Sequence, residues 1–96
     1  MSPLAKKKLS SIRNKLDKLD NSLFNLVKKR FELVKAVLKL KNKKKQIIDH
    51  QRIKQILNRI QKKSYKYKVD PKITKRIWSN MIYAFIEYEK RNFKRK

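Results

Sequence analysis

The chain has 96 residues, 40% of them hydrophobic, and a formal charge of +23 from 30 Lys and Arg against 7 Asp and Glu. That length allows one domain, residues 1–96, with a small core lying within about 9–93. With no cysteine and a single histidine, His50, it has neither a disulfide framework nor a thiolate metal site, and no apolar run approaches the eighteen or so residues of a membrane span.

From Leu9 the apolar residues fall at Leu9, Ile12, Leu16, Leu19, Leu23 and Leu26, a three-four alternation that marks one face of a helix. A neighbouring line at 13, 16, 20, 23, 27, 30, 34, 37 and 41 reads Arg, Leu, Asp, Leu, Val, Arg, Val, Val and Lys. No Gly or Pro interrupts 4–46, and Pro3 suits a first helical turn, so one helix is expected from about 5 to about 41. At 1.5 Å per residue such a helix is about 55 Å long, whereas a compact domain of this size has a radius of gyration of about 12 Å. An apolar face that overhangs its own globule needs a partner, and the simplest is the same helix of a second chain across a two-fold axis.

Asn42 to Lys45 reads as a lysine-rich connector. Asp49 then offers an N-cap for a second helix through about Lys63, carrying Ile53, Ile56, Leu57 and Ile60, with Ile48 and Ile53 at staple positions. Ser64 to Val69 reads as a loop. Asp70 and Pro71 start a third helix, expected to run to about Phe93 with Ile73, Ile77, Met81, Ile82 and Phe85 turned inward. The fold class is all-α, with three helices per chain.

A charge of +23 suggests a nucleic-acid or anionic-surface binder. Yet lysine outnumbers arginine 23 to 7, glycine is absent and Ile and Asn are frequent, as an A/T-rich coding sequence would produce without a partner. The lysines are spread along the chain, which favours a solvated surface over a dedicated face. Where lysine is the default cation, an arginine is more informative: its planar fork matches a carboxylate bidentately. Met1 to Lys8 lack the apolar stretch of a secretory signal, so the chain reads as cytoplasmic.

Three cations, Arg13, Arg30 and Lys41, stand where the stripe predicts hydrophobes, which is costly unless something anionic meets them. Arg30 and Lys41 are eleven residues apart, so they project within about 20° of each other and about 16 Å apart along the axis. Arg13 is about 25 Å from Arg30 on the same helix, too far to share a small ligand, but in an antiparallel dimer the partner's Arg13 arrives there. Snorkelling to solvent or pairing with Asp20, Glu32 or Glu89 accounts for any one of these cations alone. It accounts less well for all of them together with Arg52, one turn inside the second helix, and Glu89, which follows Met81 and Phe85 at four-residue steps.

The pattern Ile12-Arg13-x-x-Leu16-x-x-Leu19-Asp20, then Val27-x-x-Arg30-x-x-Leu33-Val34, then Lys41, then Asp49-x-x-Arg52, resembles the AroQ class of chorismate mutases over about Leu9 to Glu89. That resemblance implies an intertwined, helix-swapped homodimer in which Arg30 and the partner's Arg13 grip the two carboxylates of chorismate. It further implies that Arg52 orients the ring end, that Lys41 donates to the ether oxygen, and that Asp49, Ile53, Phe85 and Glu89 complete the site. The reaction is a pericyclic rearrangement to prephenate, a step of aromatic amino acid biosynthesis that needs no cofactor, metal or covalent intermediate.

Two positions depart from the family pattern. Ile53 stands where many mutases carry a glutamate for the ring hydroxyl, and an apolar residue there is similar to the isochorismate pyruvate lyases that share the fold. Glu89 stands where bacterial members often have glutamine and fungal ones glutamate; an ionised carboxylate would repel the ether oxygen, so as a donor it must carry a proton. Phe85, one turn earlier, replaces a frequent small polar residue. The alternatives are therefore a salicylate-forming isochorismate pyruvate lyase and, from charge alone, a basic helical nucleic-acid binder.

Overall fold

A computed structural model describes residues 1–95. Those residues are all-α, without a strand: α1 spans Pro3–Leu40, a 3-10 turn Lys44–Gln46, α2 His50–Lys66 and α3 Pro71–Asn92. The chain divides into two compact units, Met1–Leu33 and Val34–Lys96. The helix α1 is unbroken for 38 residues. Ser2 caps it, its Oγ accepting the Ala5 N–H at 3.1 Å, and Pro3 follows where its missing N–H costs nothing.

Within Met1–Leu33 no side chain is buried; Leu16 is 51% exposed and Leu23 58%. Helices in proteins draw most of their stability from packing of an apolar face rather than from propensity. Within Val34–Lys96 the buried apolar core is Ile47, Ile82 and Ile86, against which Ile48, Ile53, Ile56, Leu57 and Phe93 pack. Ile48 and Ile53 thus take up the expected staple positions around Asp49, whose carboxylate accepts the Arg52 N–H at 3.0 Å.

The link between α2 and α3 differs from expectation. Ser64 to Lys66 continue α2, and the connection is Tyr67–Asp70. Its closure follows the Schellman pattern: Val69 N–H donates to Ser64 C=O at 2.9 Å and Lys68 N–H to Tyr65 C=O at 3.4 Å, with Lys68 left-handed at φ 55°. Ser64 is not a loop residue but a buried one. Its hydroxyl donates to the Ile60 carbonyl at 2.7 Å and meets Thr74 Oγ1 at 2.6 Å, tying the two helices together where they turn. On α3, Asp70 caps through the Lys72 N–H at 2.9 Å. Ile82 is buried and Met81 and Phe85 half-buried as expected, but Ile73 and Ile77 stand more than half exposed. They lie along the first two turns of α3, whereas the buried residues of that helix, Ile82, Ile86 and Glu89, fall in its second half.

Two substitutions test this account by thermal or urea unfolding. Ile86→Ala should cost about 2 kcal/mol or more, because it removes one of three buried apolar side chains. Lys68→Gly should stabilise by about 0.5–1 kcal/mol, since glycine adopts a left-handed φ without the Cβ clash.

Candidate active site

The site in Val34–Lys96 is organised by one ion pair. Lys41, the residue after α1, places its Nζ 2.7 Å from Oε2 of Glu89 on α3, with 16% and 8% of the two side chains exposed. The same ammonium donates, at 3.4 Å, to the carbonyl of Ile47. An ammonium has three N–H donors, so one remains for a ligand. Glu89 is one of two buried polar residues in the described chain, and no buried side-chain N or O lacks a partner there.

The sequence puts these groups together through local capping. The connector after Lys41 is held by Gln46, whose Oε1 accepts the N–H groups of Asn42 at 2.7 Å and Lys43 at 2.9 Å. That closes a 3-10 turn which delivers Ile47, 4% exposed, into the core and its carbonyl to Lys41. Glu89 follows Phe85 and Ile82 by four and seven residues, so it shares the buried stripe of α3. Neither Gln46 nor Ile47 was singled out from sequence. A glutamine in a lysine run and an isoleucine before a cap carry no local signal of their tertiary partners.

Of the remaining expected site residues, Asp49 is exposed and occupied as the N-cap of α2, and Arg52 is exposed one turn inside that helix. Ile53 and Phe85 are half-buried, Ile53 packing on the core cluster. Arg13 and Arg30 belong to Met1–Leu33, the first exposed and the second half-buried. A groove of about 570 Å³ between α2 and α3 includes Ile53, Leu57, Tyr65 and Pro71 in its lining, with Lys54, Lys72 and Lys75; Lys41 and Glu89 do not line it. Among the described residues no three His, Cys, Asp or Glu gather as metal ligands, and no helix is long and apolar enough to cross a membrane.

Chemically, Val34–Lys96 offers a largely desolvated ammonium, fixed by a carboxylate and a carbonyl, beside an apolar wall. Such a group stabilises negative charge that develops on an oxygen, without nucleophile or redox chemistry of its own. A family model described as Chorismate mutase type II matches residues 12–90. No curated protein and no solved structure gives a significant match.

The pair is testable without any substrate. Glu89→Ala should destabilise the fold by about 3 kcal/mol, because it leaves Lys41 charged and mostly buried with only a carbonyl for company. Glu89→Gln, which keeps an acceptor for the ammonium, should cost roughly half of that or less. Equal losses in the two variants, read by denaturant midpoint, would show that the charge and not the hydrogen bond holds Lys41.

Proposed function

The chain belongs to the chorismate mutase type II family, and on that premise we propose that it rearranges chorismate to prephenate without a cofactor, in a helix-swapped homodimer. Residues 1–96 then act as a single domain completed by a second copy. The observation that carries the reading is Lys41, held by Glu89 and the Ile47 carbonyl with one donor to spare, inside the span matched to the family.

The reaction breaks a C–O bond while a C–C bond forms in the same concerted step. Rate gain comes from holding the chain and ring in the compact reactive conformer and from stabilising charge on the ether oxygen. Two arginines suit the first task, Arg30 on one chain and Arg13 on its partner, because each fork takes a carboxylate bidentately. Lys41 suits the second. Arg52, fixed on the first turn of α2 by the Asp49 cap, orients the ring end, and Phe85 and Ile53 exclude water. Dimerisation is supported by the uncovered apolar face of Met1–Leu33, where Ile12, Leu16, Leu19, Leu23 and Leu26 are all more than half exposed.

Glu89 enters this mechanism through its contact with Lys41. In the free chain the carboxylate accepts from the ammonium and fixes its position. With the substrate dianion bound, a fixed negative charge at Glu89 opposes binding, so a neutral donor of the same shape at that position favours it.

One observation favours a second reading. Ile53 is half-buried and packed on the core, so it offers the ring no polar partner, as in the isochorismate pyruvate lyases. Supplying chorismate or isochorismate and detecting prephenate, or salicylate with pyruvate, separates the two. Prephenate from chorismate is expected; salicylate without prephenate would replace the mutase reading by the lyase.

Sedimentation at micromolar concentration should give twice the chain mass, and an active monomer would overturn the shared site. Lys41→Ala should lower turnover about 10²-fold or more with helicity intact. Mixing inactive Arg13→Ala and Arg30→Ala chains should restore about a quarter of the wild-type rate, since half the dimers are mixed and each has one complete site. Glu89→Gln should raise the rate at neutral pH by supplying a permanent N–H donor. A lower rate at every pH would instead make Glu89 an ionised positioning residue for Lys41.

A further inference from the structure

The connector Asn42–Gln46 and the end of α3 are more than forty residues apart in sequence, yet they enclose a hollow of about 470 Å³ lined by Asn42, Lys43, Lys44, Lys90, Phe93 and Arg95. Four of the six lining residues are cations and none is acidic. Neither Lys41 nor Glu89 lines it; of the two acids on this stretch of α3, Glu89 is engaged by Lys41 and the exposed Glu87 is absent from the lining. The connector is ordered: Gln46 accepts the Asn42 and Lys43 N–H groups, and Ile47 N–H returns to the Lys44 carbonyl at 3.1 Å. Lys43 and Lys44 are therefore presented from a fixed turn.

Cations gather at helix C-termini without any ligand, because each terminus carries about half a negative charge. Two termini meet here, those of α1 and α3, and together they balance about one cation. Four line the hollow, and Lys45, Arg91 and Lys94 flank them in sequence. The surplus is like charge held in a small volume, which is unfavourable until an anion enters.

We propose that this hollow is a second anion site, separate from the Lys41–Glu89 centre, and that it takes a run of linked phosphates. Lysine binds phosphate as a point charge, and a chain of three phosphates carries about four charges near neutral pH, matching the four lining cations. A single dicarboxylate leaves half of them unmatched. Phe93, half-buried against the core, adds an apolar wall, so the source is either an inorganic polyphosphate or a nucleoside triphosphate stacked on that ring.

Equilibrium dialysis of the full chain against inorganic tripolyphosphate, ATP and orthophosphate, at about 0.15 M salt to screen the general surface field, tests the site. Tripolyphosphate and ATP should bind one per chain, and orthophosphate at least tenfold more weakly. The triple variant Lys43→Gln, Lys44→Gln, Lys90→Gln should lose about tenfold or more in affinity. A control removing the same charge at the far end of α2, Arg59→Gln, Lys62→Gln, Lys66→Gln, should lose less than about threefold. Tighter binding of ATP than of tripolyphosphate, abolished by Phe93→Leu, identifies the nucleotide; equal binding identifies the inorganic chain. Equal losses in the two triple variants, or tighter binding of a short RNA that both weaken alike, overturns the site in favour of a diffuse polyanion surface.

Discussion

The chain buries too little of its own apolar surface, and the rest of its organisation depends on that shortage. Among the described residues only Ile47, Ile82 and Ile86 are buried apolar ones, and all three belong to Val34–Lys96. The 38 residues of α1 contribute none, although Leu9 to Leu26 carry an apolar line at regular helical spacing. A lysine-rich helix of that length gains little from intrinsic propensity and loses from like charges three and four residues apart. Its continuity is therefore an argument about association. A face of Ile12, Leu16, Leu19, Leu23 and Leu26 that holds one register over about four turns is suited to packing against another straight helix.

Against that background the Lys41–Glu89 pair has a structural duty as well as a chemical one. It joins the residue that follows α1 to the last third of α3, in a unit whose apolar core is three isoleucines with a half-buried surround. Buried ion pairs are poor sources of net stability, because desolvation offsets most of their attraction. They are better at excluding alternatives: any arrangement of α3 that rotates Glu89 away from Lys41 strands two charges at once. The pair thus fixes the register of α3 against the connector and leaves the ammonium aimed, with a donor in reserve.

What was legible in the sequence divides along physical lines. The helices and their N-caps at Asp49 and Asp70 rest on local chemistry and short periodicities, and these the structure contains, with Ile48 and Ile53 both packed on the core cluster. The helix α2 runs three residues past Lys63, where its end is expected because Ser64 is a weak helix former and no glycine marks the true stop. The left-handed cap falls on Lys68, one of many lysines. Ile73 and Ile77 share the spacing of the inward residues, yet α2 meets the start of α3 on the neighbouring line of Thr74, and the fully buried residues of α3 fall in its second half. Lys41 and Glu89 were each visible as polar residues on apolar stripes, whereas their contact at 2.7 Å spans 48 residues of sequence and belongs to tertiary structure. The roles of Arg13 and Arg30 are intermolecular in the proposed dimer, so the geometry of one chain does not bear on them.

The net charge of +23 gives this arrangement a further property. A cationic surface raises the encounter rate with any small dianion, and the advantage fades as salt shortens the screening length to about 8 Å at physiological ionic strength. Attraction of that kind does not discriminate. Selection must come from groups whose directionality survives screening: planar guanidinium forks for carboxylates and a desolvated ammonium for a single oxygen. In a chain with 23 lysines and 7 arginines, the few forks matter more than the many point charges, and the one lysine given a buried carboxylate for a partner is set apart from the rest by its environment. A uniform field draws anions without choosing among them; only a group held as Lys41 is, by a buried carboxylate and a carbonyl, has a fixed direction.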